Sequence, residues 1–414
     1  MSKVILRKYI IVLLLFSLLL TVVSLQVSAQ ADNLKTVAAE TVGLIDSGGY
    51  AVKKNDELIA THNLHKTYVP ASIIKIATAL AALDVLGPSF RFETVFYRDG
   101  QNNLYIRGYG DPFLVSEEIA FIVRKLKELG CLEINDIFLD NTAFQLDRTT
   151  FGAGVSDNPY DAKNSALAVN FNTVNIEIQR TGRVISAEEQ TPTLQLMAEL
   201  AKGFKPGVHR INISKGIGNE DNTISRYAGE LFRAFQQQEN IAGDGIITSR
   251  KTPANLEPFY THRSSKTLED IIGPLLLYSN NFIANQLFLV LGSDRYGYPA
   301  TWEKSIETLS DILLNTFNLS PKEIKIIEGS GLSRKNRVSP YAMIQLLDAF
   351  KPYAVLLPQE GGKFLKSGTL QGIYSYAGYF MENKRLDSFV LLLNQQKNNR
   401  DRILDELERL YHGN

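Results

Sequence analysis

Apolar and polar positions divide the chain into a leader, a hairpin, a buried helix, a long stretch of short strands, and a run of helices closed by two strands. Lys3, Arg7 and Lys8 precede an apolar run over residues 10–23, and Val27-Ser28-Ala29 supplies the small residues of a cleavage site. This is the pattern of an export signal over residues 1–29. Left uncleaved, the same run would anchor the protein to a membrane. Residues 41–62 alternate apolar and polar around Asp46-Ser47-Gly48-Gly49, which predicts a β-hairpin turning there. From Pro70 onward Ile73, Ile74, Ala77, Leu80 and Leu83 share one helical face, and the helix ends near Gly87-Pro88.

Over residues 90–258 the texture changes to short strands separated by turns such as Gly108-Tyr109-Gly110-Asp111-Pro112 and Gly216-Ile217-Gly218-Asn219. That texture predicts a largely β inserted domain. Within it, Ser116 caps a helix that Gly130 stops, residues 134–139 read as a strand, and residues 194–202 read as a short helix. Helices return over residues 271–291, 302–314 and 340–350, the last with Ser339 as cap and Pro340 in its first turn. Strands follow over residues 372–381 and 387–394, then a helix over 400–410. Two early strands, several late ones and helices between them predict one mixed α/β domain, residues 32–89 and 259–414, split by the insert over 90–258.

The length of 414 residues fits two to three domains. Lys plus Arg and Asp plus Glu both number 44, with no compact basic run, which excludes nucleic acid as a partner. Loss of residues 1–29 removes three positive charges and leaves a mildly acidic exported protein of net charge −3. Cys131 is the sole cysteine, so neither an intramolecular disulfide nor a zinc–cysteine cluster can form, and its apolar setting reads as core. His62 and His65 lack a third ligand nearby. We therefore expect no metal and no cofactor.

Candidate chemistry centres on Ser72-Ile73-Ile74-Lys75, the one Ser-x-x-Lys in the chain, at the start of the buried helix. Residues three apart share a helix face, so hydroxyl and amine can meet, and a desolvated lysine can act as a base. Ser72 is the candidate nucleophile, and its N–H in the first turn is free to face an oxyanion. Two further elements follow in order: Ser279-Asn280-Asn281, within the predicted helix, and Lys366-Ser367-Gly368-Thr369, ahead of the strand-like residues 370–376. Together they form the ordered active-site set of penicillin-recognising serine enzymes. Ser279 can relay a proton, Asn281 can fix the substrate amide, and Lys366 can hold a carboxylate while keeping Lys75 unprotonated. Gly368 lets a substrate backbone approach. Ser156-Asp157-Asn158 matches the middle motif more literally, but its Gly and Pro neighbours indicate a loop.

Beyond these motifs the chain resembles the low-molecular-mass class C penicillin-binding proteins, D-alanyl-D-alanine carboxypeptidases and endopeptidases of peptidoglycan. The resemblance rests also on Gly108 to Leu114, Asp140-Asn141-Thr142-Ala143-Phe144, Val169 to Val174, Glu328-Gly329-Ser330-Gly331-Leu332-Ser333-Arg334 and Gly368-Thr369-Leu370-Gln371-Gly372. It implies an α+β fold: a transpeptidase/β-lactamase-like domain, antiparallel sheet with flanking helices, interrupted by a β-rich insert. It further implies an exported serine DD-peptidase, periplasmic or otherwise extracytoplasmic, that acts on peptidoglycan stem peptides and binds β-lactam antibiotics covalently. Ser72 and Thr369 would supply the oxyanion N–H groups, Ser367, Gly368 and Thr369 would line the substrate, and Asp140 would face the amino end of the peptide side chain unless it is a turn residue. Three positions depart from the family pattern: Asn280 stands for Asp, Ser367 for Thr, and Asn285 for an acid. The competing readings are a serine β-lactamase or esterase and a catalytically silent peptidoglycan-binding protein. The first lacks a Glu-x-x-Leu-Asn stretch here, and the second is expected to lose Ser72, Lys75 or Lys366.

Overall fold

The computed structural model describes residues 41–147, 151–152, 154, 158–215 and 220–413. The expected export signal, and Ser156 and Asp157 of the competing motif, lie outside them. Along the chain come β1 (Gly48–Lys54), β2 (Glu57–His62), a 3₁₀ turn (Ala71–Ile74) running into α1 (Lys75–Leu86), β3 (Glu93–Arg98), β4 (Leu104–Gly108), α2 (Ser116–Glu128) and β5 (Ile137–Asp140). Next are β6 (Thr173–Ile178), β7 (Val184–Ser186), α3 (Gln195–Leu200), β8 (Gly207–Asn212), α4 (Glu220–Gln238), β9 (Ile247–Ser249) and β10 (Pro258–Arg263). The remainder comprises α5 (Leu268–Leu277), α6 (Asn281–Tyr296), α7 (Trp302–Asn315), β11 (Ile324–Lys325), β12 (Arg337–Val338), α8 (Pro340–Phe350), β13 (Gln359–Glu360), β14 (Lys363–Leu370), β15 (Ile373–Glu382), β16 (Arg385–Leu393) and α9 (Arg400–His412).

Six strands form an antiparallel sheet in the order β13-β14-β15-β16-β1-β2. Side chains alternate across it because successive Cβ atoms point to opposite faces. Val390 and Leu392 join a core built by α1, α5, α6, α7 and α8, whereas Phe389, Leu391 and Leu393 face Ile403, Leu404 and Leu407 of α9. Phe380 and Phe389 stack at 4.2 Å on that second face. Between the two halves of this unit, β10-β3-β4-β5-β9 form a five-stranded sheet and β7-β6-β8 a three-stranded one, packed with α2 and α4 around a core of their own that includes the buried Cys131. The architecture is α+β, as the resemblance implied. No helix among the described residues is long and apolar enough to cross a membrane.

Three local expectations need correction. The first hairpin turns not at residues 46–49 but at Asn55-Asp56, both at positive φ, as a two-residue loop of mirror-image turn geometry requires. Gly48 and Gly49 sit inside β1, where a Cβ on Gly48 would fall 2.5 Å from the Leu392 carbonyl oxygen; they serve close packing. The helix expected over residues 271–291 is two helices, because Ser279 takes φ +54 between them and Asn280 caps the second. The insert also holds the 19-residue α4. Its apolar face of Ile224, Ala228, Leu231 and Phe235 is legible in hindsight, with Gly229 needed where a Cβ would fall 2.2 Å from Ile247.

Candidate active site

Ser72 lies in the 3₁₀ turn that Pro70 opens, one residue after Ala71 at φ +51, a conformation a non-glycine residue adopts only under constraint. Two backbone segments supply that constraint. A Cβ on Gly331 would lie 2.1 Å from the Ala71 carbonyl oxygen, and one on Gly368 would lie 2.8 Å from the Pro70 oxygen and 3.0 Å from the Ser72 nitrogen. Glycine at both positions lets the 329–333 loop and β14 close on the turn from either side.

Lys75 opens α1 and is fully buried. Its Nζ donates to Ser72 Oγ at 2.9 Å, Asn281 Oδ1 at 2.7 Å and the Ser330 carbonyl oxygen at 2.6 Å. Burial pushes its pKa well below the ordinary lysine value, the positive charge of Lys366 pushes the same way, and the Glu328 carboxylate opposes them. A neutral amine keeps two N–H groups and one lone pair. Carbonyl oxygens can only accept, so Asn281 and Ser330 take the two protons and turn the lone pair to the Ser72 hydroxyl. With its oxygen on Lys75, the Asn281 amide nitrogen is left to donate to a substrate carbonyl.

Ser279 is half-buried in the turn between α5 and α6, two residues before that asparagine. The helix that the apolar periodicity predicts through it is broken there. Asn280 caps α6 by accepting from Ile283 N–H at 3.0 Å, a task Asp performs equally, which accounts for the departure at the middle position. Asn285 accepts from Gly329 N–H at 2.8 Å and so holds the loop that carries Ser330.

The third motif lies within β14, not ahead of a strand. Residues 370–376, read as a strand, are interrupted by the two-residue turn Gln371-Gly372. Leu370 and Ile373 flank that turn as a hydrogen-bonded pair, so by alternation Ser367 and Thr369 leave their N–H and C=O groups on the outer edge of β14. β13 covers that edge opposite Lys363 and Phe364. At Gly368 the edge lies against the Ser72 turn. Lys366 is 3% exposed, its Nζ donates to the Ser367 carbonyl at 3.0 Å, and burial together with Arg400 brings its pKa down to about 8.

Asp140 sits apart. Its fully buried carboxylate accepts from Thr142 N–H at 2.9 Å, Thr142 hydroxyl at 2.6 Å and Thr252 N–H at 2.8 Å, with Arg107 at 3.8 Å. The bond to Thr142 N–H is that of an Asx turn, the alternative the sequence allowed.

Two residues escaped the sequence reading. Glu328, fully buried, accepts from Ser330 N–H and hydroxyl, Gly331 N–H, Ser333 N–H and Asn336, and so folds the loop that points the Ser330 carbonyl at Lys75. The Glu328 to Arg334 string was noted as a whole, but nothing in one sequence separates its carboxylate from the rest. Arg400 donates to Thr369 Oγ1 at 2.8 Å and to the Gly368 carbonyl at 3.2 Å, and lies 4.5 Å over the Tyr376 ring. It read as an ordinary first residue of the last helix.

The model of the D-Ala-D-Ala carboxypeptidase 3 (S13) family matches residues 31–202 and 212–357. The chain is 26% identical over 408 residues to D-alanyl-D-alanine carboxypeptidase DacB of Haemophilus influenzae, covering 82% of this chain and 83% of that one. It is 28% identical over 390 residues to a D-alanyl-D-alanine carboxypeptidase of Actinomadura sp., covering 75% and 70%. The crystal structure of penicillin binding protein 4 from Haemophilus influenzae superposes with a TM-score of 0.73 at 21% identity, over 90% of this chain and 99% of that chain.

Proposed function

The chain belongs to the D-Ala-D-Ala carboxypeptidase 3 (S13) family and is a serine-type D-Ala-D-Ala carboxypeptidase, and from that premise we propose that Ser72 carries the acyl group. In this reading Lys75 takes the Ser72 proton as Oγ attacks the penultimate D-Ala carbonyl. The N–H groups of Ser72 and Thr369 stabilise the oxyanion, Ser279 returns the proton to the departing D-Ala, and water then releases the acyl group. Asn281 orients the substrate amide. Lys366, mostly protonated at neutral pH with a pKa of about 8, holds the terminal carboxylate beside Ser367, Gly368 and Thr369. The observation that carries the reading is the set of three hydrogen bonds of buried Lys75: carbonyl oxygens take two directions of its amine, so in the neutral form its lone pair faces Ser72 Oγ.

The enzyme binds penicillin covalently through the same attack, and we extend its action to peptide cross-links, cut as an endopeptidase. Peptidoglycan lies outside the cytoplasm, so the export signal over residues 1–29 and an extracytoplasmic site of action belong to the same proposal. Residues 32–89 and 259–414 are taken as the catalytic domain and 90–258 as its insert, with the second boundary moved past β10 because that strand pairs with β3 in the sheet of the insert. The test is to map the penicilloyl adduct by peptide mass, and to identify by mass the products released from purified peptidoglycan with and without penicillin. The expected label is on Ser72, with D-Ala release that penicillin blocks. A label on Ser279 or Ser156 would overturn the assignment.

A further inference from the structure

A cavity of about 520 Å³ opens between the insert and the α5–α6 junction. Its walls are Phe113, Tyr160, Phe171, Tyr278 and Phe282, with Arg210 at one side and Asn281 in its lining. The cavity therefore adjoins the reaction centre, because Asn281 in its lining also holds Lys75 at 2.7 Å. Three features say what it takes.

The first is strain placed on the wall. Asn170, Phe171 and Asn172 follow one another at φ +48, +60 and +51, a run that side chains rarely adopt and that is least tolerated by a bulky residue. Hydrogen bonds hold the run there: Asn170 Nδ2 donates to Ser116 Oγ and Tyr227 hydroxyl, both at 2.9 Å, and Asn172 Nδ2 donates to the Lys163 carbonyl at 2.8 Å. The result is a Phe171 ring set edge-on to Phe113 at 5.6 Å and to Phe282 at 6.3 Å. The second feature is a pair of aromatics left in solvent at the mouth, Tyr160 at 58% and Tyr278 at 71% exposure. The third is charge. Arg210 makes no ion pair among the described residues and reaches Thr173 Oγ1 at 3.3 Å. The positive end of α6 forms the adjoining floor.

We propose that this cavity is a subsite for the acidic part of the stem peptide upstream of D-Ala-D-Ala, with the aromatic walls packing its backbone and Arg210 binding its side-chain carboxylate. The proposal rests on the peptidase reading above. Arg210 is a specificity residue, bonded to Thr173 and to none of Ser72, Lys75 or Lys366.

The test compares two synthetic peptides ending in D-Ala-D-Ala, one with a free side-chain carboxylate upstream and one with that group as its amide, in wild type, Arg210→Gln, Arg210→Lys and Tyr160→Ala. Penicillin acylation of each variant reports the state of the catalytic centre. In wild type the acid should have a KM about tenfold below the amide, the effect of one charge-assisted hydrogen bond at a part-exposed site. Arg210→Gln should erase that difference with kcat and penicillin labelling unchanged, Arg210→Lys should restore part of it, and Tyr160→Ala should raise KM for both peptides. Full labelling with an acid-to-amide ratio that Arg210→Gln leaves unchanged overturns the subsite alone. A wild type that takes no penicillin and cuts neither peptide overturns the peptidase reading, and the subsite with it.

Discussion

Lys75 Nζ stands 2.9 Å from Ser72 Oγ, with Asn281 and Ser330 occupying its other two directions. Because both of those partners are carbonyl oxygens, the amine has one direction in which to accept a proton. Lys75→Arg keeps hydrogen-bond donors in the pocket but puts a fixed cation there and removes the base, since a guanidinium does not deprotonate in a protein. The variant should fold and acylate with penicillin about 10² to 10⁴ times more slowly, the usual contribution of a positioned general base. Stopped-flow or gel-based acylation rates check this, and a rate within a few-fold of wild type would show another group taking the proton.

Glu328 opposes the lowering of the Lys75 pKa. Glu328→Gln removes that negative charge, so the Lys75 pKa should fall further. Acylation needs the neutral amine and declines as pH drops through that pKa, so the acid limb of the rate profile should move to lower pH. The same substitution leaves donors around position 328 without acceptors, at about 1–3 kcal/mol of stability. Glu328→Asp keeps the charge and should leave the limb near its wild-type place. A profile that does not move in Glu328→Gln would reduce the residue to loop support.

At the N-terminus of α6 the expectation separates capping from chemistry. Asn280→Asp preserves the cap on Ile283 N–H and should leave both melting temperature and acylation within a small factor of wild type. Asn280→Ala loses the cap, about 1 kcal/mol, and loosens the turn that places Ser279 and Asn281. Thermal melts beside penicillin acylation rates would reveal the pairing of the two losses.

Asp111 offers a test of stability against pH away from the reaction centre. It is buried, accepts from Phe113 N–H at 2.8 Å, and burial raises its pKa to about 6. A carboxyl whose folded pKa lies above its unfolded value of about 3.9 costs nothing at pH below both; the cost grows as pH rises between them and levels off above pH 6. For a gap of about two units the plateau is on the order of 3 kcal/mol. Asp111→Asn, which keeps the bond to Phe113, should therefore be more stable than wild type at pH 8 and show little gain at pH 4. Denaturant titrations at the two pH values decide it, and a net loss at pH 8 would show that the charged form is the one the fold favours.

How far the residues themselves announced this arrangement depended on whether a signal was local. Ser72 and Lys75 were legible because a spacing of three fixes two side chains on one helical face whatever surrounds them. The strands β15 and β16 and the helices α7, α8 and α9 were legible for the same reason, their periodicity being set within each segment. What failed was long-range. Gly48 and Gly49 have turn composition, yet the sheet partner Leu392 dictates their place in a strand. Ser279 was assigned to a helix because apolar periodicity runs through it, while a positive φ and the Asn280 cap break that helix in two. Arg400 acts on Gly368, Thr369 and Tyr376, far from its own helix neighbours, and Glu328, although it bonds within its own loop, meets Lys75 only through the fold; no local pattern marks either role.

The sheet order carries a consequence for when the enzyme becomes competent. β1, from the start of the described chain, pairs on one side with β16, the last strand, and β14, which bears Lys366, reaches the Ser72 turn as part of that same sheet. A nascent chain can hold Ser72 in its 3₁₀ turn and Lys75 in a formed α1 and still lack the wall behind them until the final strands arrive. Drug reactivity therefore acts as a completion signal: a chain cut short before residue 363 should stay blind to penicillin, and a refolding population should gain its label last, after the insert has closed around its own core.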